Sequence, residues 1–565
     1  MDHERGLEAL SERYWQFLRH EFPLTAYSAG DPTDDPVMFR EAPGDHDRRA
    51  ESAGHMLAEL RRIPAEGLSA TARCTHRLLE RELDDLRAGH AVWSHLRPWL
   101  LPGGPEFNAM YFADLVTLGD AGTAGRYVER LATLPRYFED IGDCLVEGRA
   151  RGIRHPRAVL TRWRGTLVGL AAASPEATAW YGPFRRSPAA QDPAVVAHAE
   201  RARGIIAREI LPSLARLAAR VDAELLPDAR DTVACTDAPL GLEYYTHWLR
   251  HFTTRPELTA ESMHELGLSE VERLHRAIEA IAAEAGHAGD VAAYRRFLAT
   301  DPQFLCADAD SLRARAEGLA KRIDGRLPAY FGRLPRITYG IDSIPAAMSE
   351  AMPIGYAQPN PADGSRAGIY WLNSLPAKAP TWMLPAVSLH EAWPGHLMHL
   401  ALLQEMHELP AFRRANFTRY TACLEGWAMY CEGLGVDMDV YRTPHEHFGR
   451  LDMELWRACR LVVDTGLHVR GWSRDRAIEY MASNLTMSRV AIEGEVDRYI
   501  AMPAQALAYQ VGGLTFRALR ARAASRLGSR FQLRRFHDAV LGAGAVTLPA
   551  LEAHIEDWIA TSAAA

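Results

Sequence analysis

The chain has 565 residues, 48% of them hydrophobic and 24% charged, the composition of a soluble globular protein long enough to bury a large core. Its 64 basic and 72 acidic residues leave a net charge of -8, which gives no reason to expect nucleic acid as a partner. The charged start Met1-Asp2-His3-Glu4-Arg5 lacks the apolar core of a secretory signal, and no apolar run approaches the ~20 residues that span a bilayer, so no membrane partner is expected.

In chain order, residues 125–150 read as helix, followed by Ala197–Val221, rich in Ala, Arg and Leu. Ser174–Pro193 and Leu225–Pro239 read as breaks, rich in Pro and Ala. They predict an N-terminal helical lobe over 1–240 and a catalytic helical lobe over 241–565, packed as one integrated unit with a substrate cleft between them. Ser269 and Glu272 form a capping box, after which Val271, Leu274, Ile278 and Ile281 recur on one face until Gly286 supplies a stop. Strand signals are few: Leu334–Ile344 and Ala367–Asn373, where β-branched and aromatic residues cluster. Phe448–Val469 and residues 546–561 return to helix. The expectation is a mainly α protein, large and two-lobed, with a small β-sheet. Cys74, Cys144, Cys235, Cys306, Cys423, Cys431 and Cys459 form no C-x-x-C pair, which predicts reduced thiols and a cytoplasmic location.

The chemistry concentrates in His390-Glu391-Ala392-Trp393-Pro394-Gly395-His396 and in Glu425-Gly426-Trp427, which begins 29 residues beyond His396. Two neutral imidazoles and a carboxylate are a ligand set for Zn2+ with a position left open for water. Zinc-binding histidines on a regular helix are spaced four apart, about 40° around the axis, whereas a spacing of six leaves them about 120° apart. His390 and His396 can therefore share an ion only if the backbone changes course, and Pro394-Gly395 predicts a bulge or kink there. His399 lies on the far side of a regular helix and is the weaker ligand. Glu391, next to His390, is placed as general base. Glu425 is the third ligand, and Glu432, two turns further along the same helix face, is expected to orient a ligand histidine.

Arg460, Asp464 and His468 are spaced four apart and form one helical stripe. Asp464 is expected to accept from a metal-binding His or from an Arg, with His468 and Tyr509 as donors to a substrate oxyanion. Ile369–Asn373, including Tyr370, is expected to be an edge strand that pairs with an extended substrate, Asn373 adding a side-chain hydrogen bond. Arg457 is a candidate for a substrate carboxylate. Tyr244, Tyr245, His247 and His251 read as a packed helix face.

These motifs resemble those of the family called domain of unknown function 885, a group similar to gluzincin metallopeptidases. The resemblance rests on H-E-A-[aromatic]-P-G-H at His390–His396, on E-G-W-A-x-Y at Glu425–Tyr430, on Arg457, Arg460, Asp464, Thr465, Gly466 and His468, and on Pro503 with Gln505–Gly512. Weaker similarity runs from Phe22–Ala26 to Phe536–Leu541. It implies a helical metallopeptidase-like fold akin to carboxypeptidases of the Taq type, with the sheet beside the metal. Two positions depart from the family pattern: Leu397 stands where a second His is usual, and Ala504 where Gly is usual. The expected activity is zinc-dependent hydrolysis of peptide bonds. The alternatives are a zinc-dependent amide hydrolase acting on a small molecule in a biosynthetic pathway, and a scaffold that has lost its metal.

Overall fold

The computed structural model of the protein describes residues 2–564 apart from 102, 103, 351, 363 and 416. The chain forms two compact units. The first comprises Met1–His247, Leu467–Arg474 and Gly494–Pro503; the second comprises Trp248–Gly466, Asp475–Glu493 and Ala504–Ala565. The first unit thus runs a few residues beyond the expected limit at 240 and recruits two segments from late in the chain.

The first unit is helical. The segment expected as one helix over 125–150 is two, α1 (Ala121–Leu131) and α2 (Leu134–Ala150), divided ahead of Pro135, which suits a first helical turn. α2 buries Leu134, Tyr137, Phe138, Ile141 and Leu145, the 3–4 spacing of one helical face. Ala197–Val221 falls within a longer helical run: α3 (Pro193–Ile205) and α4 (Leu211–Arg220), joined by a π-type turn at Ile206–Ile210. That turn precedes Pro212, whose missing amide donor interrupts the regular ladder.

In the second unit, α5 (Ala260–Glu284) starts nine residues before the predicted capping box. The box that caps it is Thr259 and Ser262: each side-chain hydroxyl accepts the other's backbone N–H, at 3.1 and 3.0 Å. Ser269 lies mid-helix, its hydroxyl donating to the Leu266 carbonyl at 3.0 Å, which is how a capping residue is tolerated inside a helix. The predicted face holds, with Val271, Leu274 and Ile278 buried and Gly286 at φ +87° beyond the end.

A three-stranded sheet follows: β1 (Tyr339–Ser343), β2 (Gly355–Gln358) and β3 (Gly368–Leu372) in the order β1-β3-β2. β3 runs parallel to β1 and antiparallel to β2, with Tyr370 paired to Ile341 and to Ala357. The expected edge strand is therefore the centre of the sheet, and its backbone is already paired on both sides. The four residues of β2 carry too little pattern to be read from sequence.

The site helices are α6 (Leu384–Glu391), α7 (His396–Gln404), α8 (Thr421–Asp437), α9 (Pro444–His468) and α10 (Ala508–Leu527). α8 and α10 approach closely at Gly426 and Gly512, where a Cβ on either would collide with the other's backbone. That contact sets Glu425, one residue earlier, in the interior.

Candidate metal centre

The helix carrying His390 does not bulge at Pro394-Gly395; it stops. α6 ends at Glu391, residues 392–395 turn through a cis Trp393–Pro394 bond, and α7 begins at His396. Gly395 is required by close approach, because a Cβ there would overlap the carbonyl oxygens of His390 and Leu389. Trp427 on α8 donates its indole N–H to the Pro394 carbonyl at 2.9 Å and holds the turn against that helix. The two imidazoles consequently face each other, ring centres 4.7 Å apart and planes at 87°.

Glu425 Oε2 lies 3.4 Å from His390 Nε2 and 3.3 Å from His396 Nε2. Two ligand atoms on a tetrahedral zinc ion with bonds of 2.0–2.1 Å stand roughly 3.3 Å apart. The same oxygen is buried and, among the described residues, makes no hydrogen bond of good geometry. These three side chains alone, among the described residues, bring His, Cys or carboxylate ligand atoms together closely enough for a metal ion. Burial would raise the Glu425 carboxyl, but His396 and His390 outweigh it and hold it well below the ordinary range.

The outward nitrogen of His390 is also engaged. Nδ1 lies 2.7 Å from Glu432 Oε1, so the imidazole donates there and turns Nε2 toward Glu425 and His396. Arg457 Nη2 sits 3.3 Å from the same Glu432 oxygen, its Nη1 donates to the Met453 carbonyl at 2.9 Å, and Tyr441 donates its hydroxyl to the Glu432 carbonyl at 2.7 Å. Burial pulls the His390 pKa down, but Glu425 and Glu432 overcome it and bring it up to about 9. The Glu391 carboxyl is raised, first by burial and further by Glu425, against the opposing fields of His390, His396 and Arg457. Tyr370 is fully buried, with a hydroxyl that among the described residues makes no hydrogen bond of good geometry and an acidity lowered by burial and then by Glu391.

Other predicted residues are placed differently. His468 belongs to the first unit, where Nδ1 accepts the Cys235 amide at 3.1 Å and Nε2 donates to the Tyr499 carbonyl at 2.9 Å. With both nitrogens spent on backbone and burial bringing its pKa down to about 4, it is a neutral structural histidine and not a donor to substrate. Asn373 is also consumed: its amide donates to the carbonyls of Ser349, Met352 and Pro353 at 2.8, 3.2 and 3.0 Å, and its Oδ1 accepts the Leu375 amide at 3.0 Å. Arg457 braces Glu432 and is 3% exposed, which removes it as a ready carboxylate receptor. Asp464 accepts the Ala504 amide with both oxygens, at 3.1 and 3.0 Å, while the carboxylate on His390 is Glu432. Arg460 stacks over Tyr509 at 4.4 Å, and Tyr509 is half-buried with its hydroxyl 3.5 Å from Gln505 Nε2.

His399 does not join the ligand set. It is buried near Trp427, and burial lowers its pKa to about 4. Leu397 is buried and packs toward Gly368 of β3. Sequence reasoning missed the Tyr441 hydroxyl, for which no signal exists, and the Trp427 anchor, whose place inside the Glu-Gly-Trp segment was the only hint.

No curated protein matches the chain. Among solved structures it is similar to a "putative lipoprotein" from Colwellia psychrerythraea, with a TM-score of 0.92 and 25% identity over 99% of this chain and 100% of that one. It is also similar to a "putative lipoprotein of unknown function" from Shewanella oneidensis, with a TM-score of 0.73 and 16% identity over 96% and 98% of the two chains, a likeness of fold alone. Among the described residues no helix is long and apolar enough to cross a membrane. The chain belongs to the family of bacterial proteins of unknown function DUF885, whose model matches residues 23–555.

Proposed function

We propose that the protein is a zinc-dependent hydrolase of peptide (amide) bonds. The observation that carries this reading is the buried Glu425 Oε2, which among the described residues makes no hydrogen bond of good geometry yet lies 3.3–3.4 Å from two imidazole nitrogens. A lone pair left unmatched in the interior is costly, and a cation accounts for it. His390, His396 and Glu425 would hold the ion, an N/O set that suits zinc. Bound there, zinc supplies Lewis acidity to a substrate carbonyl and lowers the pKa of water.

The chain's own residues supply the rest. Glu391, its carboxyl raised by burial, would take a proton from the attacking water and return it to the leaving amine. Glu432 keeps His390 in the tautomer whose Nε2 is free. Tyr370 offers a buried hydroxyl in the field of Glu391 as a donor to a developing oxyanion. The resemblance of the family to gluzincin metallopeptidases is what supports a metallopeptidase fold and short peptides as substrates in this reading. Seven free cysteines support a reducing, cytoplasmic setting.

The test is elemental analysis of protein purified without chelator, combined with hydrolysis of dipeptides, tripeptides and acyl-amino acids. Glu391→Gln is expected to keep the metal and lose about 10²–10⁴-fold in rate. A folded protein with no affinity for zinc would refute the proposal, and cleavage of acyl-amino acids alone would move the substrate to small amides.

A further inference from the structure

A cavity in the first unit is lined by three arginines and a histidine and, among the described residues, by no acidic one. Its volume is about 40 Å³, room for a few water-sized groups. The polar wall is Arg97, Arg154, Arg230 and His155; Leu100, Ile153, Val159 and Ile500 contribute to the apolar wall.

Arg97 is the anomaly. It is 6% exposed, and its Nη2 donates to the carbonyls of Val92 at 3.1 Å and Pro239 at 2.8 Å. Among the described residues its Nε and Nη1 are buried without a partner, which leaves three of the five guanidinium N–H donors unmatched there. The guanidinium lies 4.3 Å above the Tyr244 ring, which fixes its plane. Glu243 acts on it only at a distance, from an exposed position.

Arg230 stands close by, tied through its backbone to His155, with Asp237 as its acidic neighbour at 3.6 Å. Each arginine's charge opposes the other's. His155 Nε2 is likewise buried without a partner among the described residues. A buried cation is tolerated when paired and expensive when not. The missing element is an anion.

We infer that this cavity is a binding site for a small carboxylate bearing a short apolar substituent. The carboxylate accepts from Arg97 and His155 in the field of Arg230, and the substituent lies against Leu100, Val159 and Ile500. A carboxylate suits the site better than phosphate: a single negative charge matches the one unpaired guanidinium, and the remaining wall is apolar.

The experiment uses the full-length protein with propionate, phosphate or chloride at equal ionic strength, read by thermal melting and by titration calorimetry. Propionate is expected to raise the melting temperature saturably and to bind with measurable heat. Arg97→Gln should weaken that binding by about tenfold or more. If Arg97→Gln does not fold, Ala501→Leu, which fills the cavity from its wall, should abolish the response instead. No response to propionate, an unchanged affinity in both variants, or a response to phosphate alone would overturn the assignment. None of these readouts depends on the metal centre.

Discussion

His390 Nδ1 lies 2.7 Å from Glu432 Oε1, and Glu432 stands two helical turns beyond Glu425, whose Oε2 faces the opposite nitrogen of the same ring at 3.4 Å. One face of α8 thus addresses both edges of one imidazole. The first carboxylate shares a convergence point with the ring, and the second fixes the ring's tautomer and orientation.

Removing the second carboxylate should therefore damage metal binding without touching a ligand. Glu432→Ala is expected to weaken zinc affinity by about 10–100-fold, measured by competition with a chromogenic chelator at neutral pH. It also leaves Arg457 buried without its acidic partner, so a loss of stability should accompany it. Unchanged affinity would mean that packing alone holds the ring.

The His390 pKa of about 9 has two consequences of opposite sign. In metal-free protein, a raised histidine pKa contributes stability that is complete below the unfolded value of about 6.5 and disappears as pH climbs through the folded value. A bound cation must displace that proton, so apparent zinc affinity should rise over the same interval. The depressed Glu425 carboxyl acts the other way: its contribution is present above the ordinary value and lost on acidification. Thermal melts with and without chelator, together with calorimetry in buffers of different ionisation enthalpy, check both trends. Equal pH profiles for the two forms would contradict them.

Gly395→Ala should misplace both histidines, since its Cβ would overlap two carbonyl oxygens of α6. The expected cost is about 1–3 kcal/mol or more, together with lost metal content. Gly433→Ala is the control on the neighbouring helix: a Cβ there meets nothing within 4 Å, and the change should stabilise by about 0.5–1 kcal/mol. Denaturant titrations and metal analysis of the two variants decide between a local requirement for glycine and general helix propensity.

Ala504 has φ +67°, with its amide gripped by both oxygens of Asp464. An L-residue in that region costs about 1–2 kcal/mol, against about 0.5–1 kcal/mol of entropy for glycine. Ala504→Gly, which restores the residue usual in the resembling motif, should stabilise by about 0.5–1 kcal/mol in chemical denaturation. A destabilised variant would show that the methyl group's packing outweighs its backbone strain.

Much of the centre could be read from the chain alone, because the relevant physics is local. A six-residue spacing of histidines demands a break, Pro394-Gly395 supplies one, and a seven-residue spacing of carboxylates demands a shared helix face; the structure has all three. The helical character and the apolar face of α5 follow equally from short-range periodicity, and the positions of β1 and β3 from local clusters of β-branched and aromatic residues. What needed tertiary structure were the partners of side chains far apart in sequence. His468 reads as a donor on the stripe of Arg460 and Asp464 until Cys235, 233 residues away, occupies one of its nitrogens. Asn373 and Ile369–Asn373 read as a substrate edge until Ser349 and β2 take up their hydrogen bonds. Periodicity reports which face of an element is buried; what it is buried against is settled only when distant segments compete for the same donors and acceptors.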